Sequence, residues 1–188
     1  IVLAGQSLFE QSPDSFVVAN TLSYPWAGVI SIPESFDGFS VLNENGDTVS
    51  VQKTKDASVA FVELEPLSFS TFNKGEALFK ELELGHGLTL ENDLIRYDFD
   101  KKGQVISAFD KESKKEIFES AGNILSLYED RPNDWDAWDV DFYYRNALVE
   151  NAEATDTMPG SNGKVVQELN LTFFVGDSSI IQKVKLYP

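Results

Sequence analysis

The sequence predicts an all-β fold made of two consecutive antiparallel β-sandwich parts. Alternating apolar and polar residues, the pattern of a strand with one buried face, recur along most of the 188 residues. Polar turn signals separate these runs, and no stretch shows a convincing helical period. The run Gly85-His86-Gly87 permits a change of chain direction. We therefore expect a small β-sandwich domain at residues 1–86 and a second domain at residues 87–188.

In the first part, short alternating runs predict a series of strands. They are Ser15–Asn20, Gly28–Ile32, Thr48–Lys53, Ser58–Leu64, Phe69–Phe72 and Ala77–Leu84. Pro25-Trp26 predicts the turn between the first two. Asn45-Gly46-Asp47 predicts a tight turn because Asn and Gly accept a positive φ, and Asn73–Glu76 predicts another.

The second part predicts a meander of strands followed by a long hairpin. The meander strands are Leu88–Glu91, Leu94–Phe99, Val105–Phe109, Glu116–Phe118 and Ile124–Tyr128, with lysine-rich turns at 101–104 and 111–115. Asn151–Asn162 is polar and contains Pro159-Gly160, so we expect a long exposed loop there. Gly163–Val175 and Ser179–Leu186 are expected to pair around Gly176-Asp177.

Charge and composition exclude several classes of function. The net charge of −16 repels nucleic-acid phosphates and anionic lipids, so neither nucleic acid nor membrane is expected as a main partner. The sequence has no cysteine, which excludes a disulfide framework and a thiolate metal site and fits a cytoplasmic location. There is no signal-peptide pattern. Because the chain opens at Ile1 and ends directly after a strand-like run, we expect a piece of a longer protein.

The most distinctive segment runs from Leu127 to Tyr144. It holds two of the three tryptophans, interleaved with carboxylates. Tryptophan offers an apolar plate for a sugar ring, and aspartate accepts hydrogen bonds from neighbouring hydroxyls, so the mixture favours a surface that binds a polyol. Turn bonding by the aspartates is the plainer alternative. The candidate binding residues are Asp130, Asp134, Trp135, Asp136 and Asp139.

The end of this segment, Trp138–Tyr144, has the alternation of a strand. On that interpretation the core face consists of Trp138, Val140, Phe142 and Tyr144. The other face consists of Asp139, Asp141 and Tyr143. We therefore expect Trp138 to be buried. Trp135 precedes the strand in a polar stretch and is the better candidate for an exposed aromatic.

Other chemistry finds less support in the sequence. The acids between Glu129 and Asp141 supply enough oxygens for calcium, but their spacing does not follow an EF-hand loop. A glycosidase pair of carboxylates among the same acids also stays open. His86 is the single histidine, so no histidine metal cluster can form, and its place between two glycines is typical of a turn.

The run Trp135–Asp139, preceded by Glu129-Asp130 and Pro132 and followed by Tyr143-Tyr144, resembles glycoside hydrolase family 38 α-mannosidases, most closely the cytosolic and bacterial branch. Five further segments resemble that family in the same order. They are Val17–Trp26, Leu90–Gly103, Phe109–Lys111, Gly122-Asn123 and Ser178–Tyr187.

The resemblance implies that this chain and the catalytic residues belong to different domains of a longer enzyme. In that family the zinc ligands and the nucleophile belong to an N-terminal α/β barrel, and this chain has no matching His-x-Asp motif. The chain would then be the non-catalytic β region that packs on the catalytic domain, with residues 87–188 opening a large mutarotase-like β-sandwich. On this resemblance no residue of the chain is expected to be catalytic or to bind a metal. The parent would bind zinc and cleave α-mannosides with retention, and the tryptophan-rich loop would add a wall to the substrate cleft. The alternative is an independent carbohydrate-binding or adhesion β-sandwich.

Overall fold

The structure of the chain is a computed structural model that describes residues 12–78, 82–135 and 140–188. These residues form sixteen β-strands and two short 3₁₀-helices, and no α-helix occurs among them. The prediction of an all-β fold with antiparallel sheets is thus confirmed. The described residues also contain no helix that could span a bilayer.

The chain divides into two compact units. Unit 1 comprises Ile1–Leu84, Ser161–Gln167 and Tyr187–Pro188, and unit 2 comprises Gly85–Gly160 and Glu168–Leu186. The domain limits 1–86 and 87–188 stay a prediction. Unit 1 includes a short segment from late in the sequence, which a purely sequential division does not anticipate.

Unit 1 contains two antiparallel sheets. Its strands are β1 (Ser15–Asn20), β2 (Trp26–Ser31), β3 (Phe39–Leu42), β4 (Thr48–Val49), β5 (Val51–Lys53), β6 (Ser58–Leu64) and β7 (Ser68–Ala77), with a 3₁₀-helix at Glu34–Phe36. One sheet has the order β1-β7-β3-β4 and the other β2-β6-β5. The core consists of Ile32, Phe36, Val41, Ala60, Val62, Leu64 and Phe72. In β6, Ala60, Val62 and Leu64 alternate with less buried residues, as expected for a strand with one buried face.

Two buried amide side chains hold segments of unit 1 that lack regular pairing. The Asn20 Nδ2 donates to the carbonyl oxygens of Tyr24 (3.0 Å) and Glu65 (2.9 Å), and its Oδ1 accepts from the Leu22 N–H. The Gln52 Oε1 accepts from the N–H groups of Val165 and Val166, both at 2.9 Å, and its Nε2 donates to the Val166 oxygen. Buried backbone groups need such partners.

Unit 2 contains most of the remaining strands. They are β8 (Thr89–Glu91), β9 (Ile95–Phe99), β10 (Val105–Asp110), β11 (Lys115–Glu116), β12 (Leu125–Tyr128), β13 (Leu148–Ala152), β14 (Ala154–Asn162), β15 (Gln167–Val175) and β16 (Ser178–Leu186). The sheet orders are β11-β10-β9-β8, β12-β13 and β14-β15-β16. Leu90, Phe99, Val105, Ala108, Ala152, Leu169, Leu171 and Phe173 form the core. The predicted turns at Gly103 and Gly176 are confirmed, with φ of 79° and 53°.

The expected loop at Asn151–Asn162 is wrong, because all of these residues except Glu153 belong to β13 or to the nine-residue strand β14. β14 lies at the end of its sheet, where a proline such as Pro159 removes no essential ladder bond. A Cβ at Gly160 would lie 2.8 Å from the Glu168 Cβ. The glycine thus permits close approach to β15, so Pro-Gly here serves strand pairing instead of a turn.

The expected turn at Asn73–Glu76 is also wrong, since β7 runs through it without interruption. Asn73 pairs with Ser15 on one side and with Leu42 on the other. A Cβ at Gly75 would overlap the Ser40 hydroxyl, so the glycine allows β3 to approach. Pairing on both sides outweighs the local turn preference. The expected strand Ala77–Leu84 lies partly outside the described residues.

The sequence signal also missed a strand and misassigned another. β3 (Phe39–Leu42) was not anticipated. Residues 142–146, at the end of the expected strand Trp138–Tyr144, form a 3₁₀-helix, Phe142–Asn146. Alternation alone does not distinguish a strand from such a short helix. The predicted burial of Trp138 lies outside the described residues.

Candidate functional site

The candidate site is the connection between β12 and β13, residues 129–147, here called the 129–147 loop. β12 and β13 pair antiparallel, with Leu125 opposite Ala152 and Tyr128 opposite Leu148. The Glu129 N–H donates to the Ala147 oxygen at 2.9 Å, which closes the base of the loop. Leu125 and Ala152 contribute to the core of unit 2, so the loop projects from a fixed base.

The second half of the loop is the 3₁₀-helix Phe142–Asn146. The Ala147 N–H donates to the Tyr144 oxygen at 2.8 Å and ends this helix. The Tyr144 ring meets the Tyr128 ring edge to face, with centroids 5.2 Å apart. The Arg145 guanidinium lies 5.9 Å from the centre of the Tyr144 ring. These contacts pack the helix against β12, since edge-to-face pairs at this distance are favourable.

Three polar side chains join the two halves of the loop. The Asp141 carboxylate accepts hydrogen bonds from the Tyr143 hydroxyl at 2.5 Å and from the Asn133 backbone N–H at 3.1 Å. The Asn133 Nδ2 donates to the Tyr143 hydroxyl oxygen at 2.5 Å. Asn133, Asp141 and Tyr143 thus form a closed set of hydrogen bonds, here called the loop clasp.

The charge state of the clasp follows from these bonds. The Tyr143 hydroxyl, followed by the Asn133 N–H, lowers the pKa of Asp141, because both stabilise the carboxylate. The hydrogen bond to Asp141, reinforced by burial, raises the pKa of Tyr143. At neutral pH Asp141 is therefore a charged acceptor, and Tyr143 is a protonated donor.

The loop exposes two large aromatic side chains. Trp135 is 76% exposed and Phe142 is 77% exposed. Trp135 also has a φ of 66°, in the left-handed region that bulky residues rarely adopt. The surrounding structure has to impose such a conformation. The expectation that Trp135 is an exposed aromatic is confirmed.

The other predicted site residues divide into two groups. Asp130 and Asp134 are exposed on the same loop, and no described residue donates a hydrogen bond to the Asp134 carboxylate. Turn bonding therefore does not account for Asp134 within the described part. Asp136 and Asp139 lie outside the described residues. The role of all five candidates in binding stays a prediction.

Sequence reasoning missed the residues that shape the loop. Phe142 was assigned to a buried face, whereas the structure exposes it. Asn133 was not singled out, and its contacts with Asp141 and Tyr143 join positions eight and ten residues apart. No local periodicity marks such pairs. The shared placement of Asp141 and Tyr143 on one side of the segment was the nearest available signal.

A metal site finds no support in the described part of the chain. No group of three or more His, Cys, Asp or Glu side chains there is placed to hold an ion. His86 is exposed, and the adjacent Gly85 N–H donates to the Gly160 oxygen at 2.9 Å. The described residues therefore do not fit the zinc that the family resemblance implies for the parent protein.

Comparison with known proteins identifies the family. The profile described as "Glycosyl hydrolases family 38 C-terminal domain" matches residues 90–188, which include the 129–147 loop. The chain belongs to glycosyl hydrolase family 38, and this part of it to the C-terminal domain of that family. The family prediction is thus confirmed.

Two curated relatives extend the likeness beyond this domain. Alpha-mannosidase 2C1 of Homo sapiens is 30% identical over 137 residues, which are 72% of this chain and 12% of the relative. Alpha-mannosidase 2C1 of Mus musculus is 29% identical with the same coverage. The chain therefore spans about one eighth of the length of these relatives.

Proposed function

We propose that this chain is a non-catalytic β region of a zinc-dependent, retaining α-mannosidase, and that its 129–147 loop contributes to carbohydrate binding. Membership of the family 38 C-terminal domain and the names of the two relatives support an α-mannosidase parent. The catalytic domain of the same protein is the proposed partner on which the chain packs. The cytoplasm is its proposed location, consistent with the absence of cysteine.

The observation that carries this proposal is the composition and exposure of the 129–147 loop. Trp135 is mostly exposed to solvent and lies on the same loop as the exposed carboxylates Asp130 and Asp134. An aromatic face can stack on the apolar face of a sugar, while carboxylates accept hydrogen bonds from its hydroxyls. The proposed contact residues are Asp130, Asp134, Trp135, Asp136 and Asp139.

The catalytic chemistry is assigned to the catalytic domain and not to this chain. A catalytic zinc site needs several nitrogen or oxygen ligands from the protein around one ion. The sequence supplies one histidine and no cysteine, and the described residues supply no acidic cluster of that kind. When bound in the parent, zinc would polarise substrate oxygens, and this chain would help to position the sugar.

The surface of unit 2 supports the proposal that it packs against another domain of the same protein. Its exposed apolar side chains include Ile106 (57%), Val149 (60%), Phe174 (59%) and Ile181 (74%). Scattered exposed apolar residues are common, but large ones on several strands favour burial by a partner. Most of the length of the two relatives lies outside the matched segment, so a longer parent protein would contain further domains that could cover these side chains.

The test is the kinetics of the full-length protein with Trp135→Ala. Loss of a central aromatic contact should raise the KM for 4-nitrophenyl α-mannoside by about tenfold and change kcat less. Tyr24→Ala is the matched control, because Tyr24 is another exposed aromatic (58%) and lies in unit 1. Unchanged kinetics in Trp135→Ala would remove this residue from the substrate wall.

A further inference from the structure

The loop clasp lies between the fixed base of the 129–147 loop and its exposed tryptophan. Asn133 precedes Trp135 by two residues, and Asp141 directly precedes the 3₁₀-helix Phe142–Asn146. Hydrogen bonds from both the backbone and the side chain of Asn133 reach this second half of the loop. The clasp therefore joins the two arms on either side of residues 134–140.

We propose that Asn133, Asp141 and Tyr143 are positioning residues that hold Trp135 in the orientation that contacts the sugar. This inference rests on the proposed function of the loop. It assigns no contact with substrate to the clasp itself. Its role is to restrict the arm that carries Trp135 before the sugar binds, which lowers the ordering cost of binding.

A continuous set of contacts runs from β12 to Asn133, two residues before Trp135. Tyr128 ends β12, and its ring packs on Tyr144 at a centroid distance of 5.2 Å. Tyr144 belongs to the same 3₁₀-helix as Tyr143, whose hydroxyl accepts from the Asn133 Nδ2. The position of the Asn133 arm is thus fixed by the helix, and the helix is fixed by β12.

The backbone of Trp135 gives an independent reason to expect such restraint. Its φ of 66° is unfavourable for a bulky side chain and persists only when neighbouring structure imposes it. The nearest described restraint on the preceding side is the Asn133 N–H, which donates to the Asp141 carboxylate at 3.1 Å. A hydrogen bond to a charged acceptor is stronger than one between neutral groups, so the bond from Asn133 to Asp141 can restrain the backbone before Trp135.

The sequence offers a closely matched pair of variants for the test. Tyr143→Phe removes the hydroxyl that bonds Asp141 and Asn133 but keeps the ring. Tyr144→Phe removes a hydroxyl one residue away on the same helix. The described side-chain contacts of Tyr144 are made by its ring, with Tyr128 and Arg145, so this variant controls for general effects on the helix.

The first measurement is amide hydrogen exchange of the full-length protein without sugar. In Tyr143→Phe the Asn133 backbone N–H should exchange about tenfold faster, because its acceptor Asp141 and the Asn133 side chain both lose the hydroxyl that holds them in place. In Tyr144→Phe its rate should be unchanged. Equal rates in the wild type and Tyr143→Phe would overturn the clasp, whatever the kinetics show.

The second measurement is a double-mutant cycle on the KM for 4-nitrophenyl α-mannoside. Tyr143→Phe should raise KM about fivefold, with kcat within about twofold, since the hydroxyl's hydrogen bonds to Asp141 and to Asn133 are both lost. In a Trp135→Ala background the same change should have no further effect, because the residue to be positioned is absent.

The outcomes separate this inference from the function on which it rests. If Trp135→Ala raises KM and Tyr143→Phe does not, the clasp has no positioning role while the loop still binds sugar. If the two effects add fully, Tyr143 acts independently of Trp135, and the inference is wrong. If Trp135→Ala has no effect, the proposed function of the loop fails, and with it any positioning role in sugar binding.

Discussion

Two acidic surfaces of unit 2 differ in what their carboxylates contact. On the outer face of the β8–β11 sheet, Asp98 accepts from Arg96 Nε (3.0 Å) and Nη2 (3.0 Å) and from the Thr89 hydroxyl (2.6 Å). On the 129–147 loop, no described cationic side chain pairs with Asp130 or Asp134. Carboxylates that are paired with neighbouring side chains have few acceptor sites left for a ligand. Carboxylates without a cationic partner keep their oxygens available as hydrogen-bond acceptors.

The same contrast extends to other residues of the sheet. The Glu116 carboxylate accepts from the Ser107 hydroxyl (2.7 Å) and from the Ala108 N–H (2.6 Å). Lys111 pairs with Glu91 at 2.7 Å. A high density of acids therefore does not by itself identify a binding surface. The distinguishing features are exposed aromatics and carboxylates without internal partners.

The largest expected effect is the loss of stability on changing a residue of the core that underlies both surfaces. Phe173 is fully buried in the cluster that includes strands β8–β10 and the β12–β13 pair. Phe173→Ala should lower the free energy of unfolding by about 3–5 kcal/mol through lost burial and a cavity. Urea denaturation of the chain measures it.

Phe174→Ala is the matched control, since Phe174 is adjacent and 59% exposed. Its expected change is within about 1 kcal/mol. Equal losses in the two variants would contradict the assignment of Phe173 to the shared core.

The second prediction concerns the partners of Asp98. Asp98→Asn should lower the free energy of unfolding by up to about 1 kcal/mol, because a partly exposed ion pair contributes little. It should not alter the KM of the full-length protein for 4-nitrophenyl α-mannoside, since this face is assigned no ligand. A changed KM would show that the outer face of the sheet belongs to the substrate cleft.

The pH dependence of this effect is the third prediction. The hydrogen bond from Arg96, then that from Thr89, lowers the pKa of Asp98 below its usual 3.8, although burial opposes the change. A lowered folded-state pKa gives stability that is fully present above the unfolded pKa and is lost as pH falls through the folded value.

The difference in unfolding free energy between wild type and Asp98→Asn should therefore be constant at neutral pH. It should shrink only below about pH 4, near the unfolded pKa of an aspartate. Urea titrations at several pH values measure it. A difference that already disappears above pH 5 would contradict the ion pair as its cause.

The smallest expected effect is that of Arg96→Ala on activity. Arg96 is half-exposed and is engaged with Asp98, so its removal should leave the KM within about twofold, against about tenfold for Trp135→Ala. This pair of variants compares the two surfaces directly. A larger effect for Arg96→Ala than for Trp135→Ala would reverse their assignment.

Local patterns predicted the parts of the fold that depend on local chemistry. The strand at Ser15–Asn20 and the turns at Gly46, Gly103 and Gly176 follow from alternation and from positive φ at glycine. The errors at Asn73–Glu76 and Asn151–Asn162 share one cause. Glycines that appear to mark turns instead allow a neighbouring strand to approach, which depends on pairing and not on the local sequence.

The candidate site was predictable to a similar extent. Composition located the loop and selected Trp135 as its exposed aromatic, because an isolated tryptophan in a polar stretch has no core face to join. The contacts of Asn133 with Asp141 and Tyr143 were not predictable, because they bridge the two arms of a loop. Such contacts depend on a backbone path that periodicity does not describe.

The most direct test of the central claim is hydrolysis of 4-nitrophenyl α-mannoside, with zinc added, by the full-length protein and by this 188-residue chain. A cooperative melting transition would first establish that the isolated chain is folded. We predict activity in the full-length protein and none in the folded chain. Hydrolysis by the chain alone would contradict the non-catalytic assignment and would place a catalytic carboxylate pair within these residues.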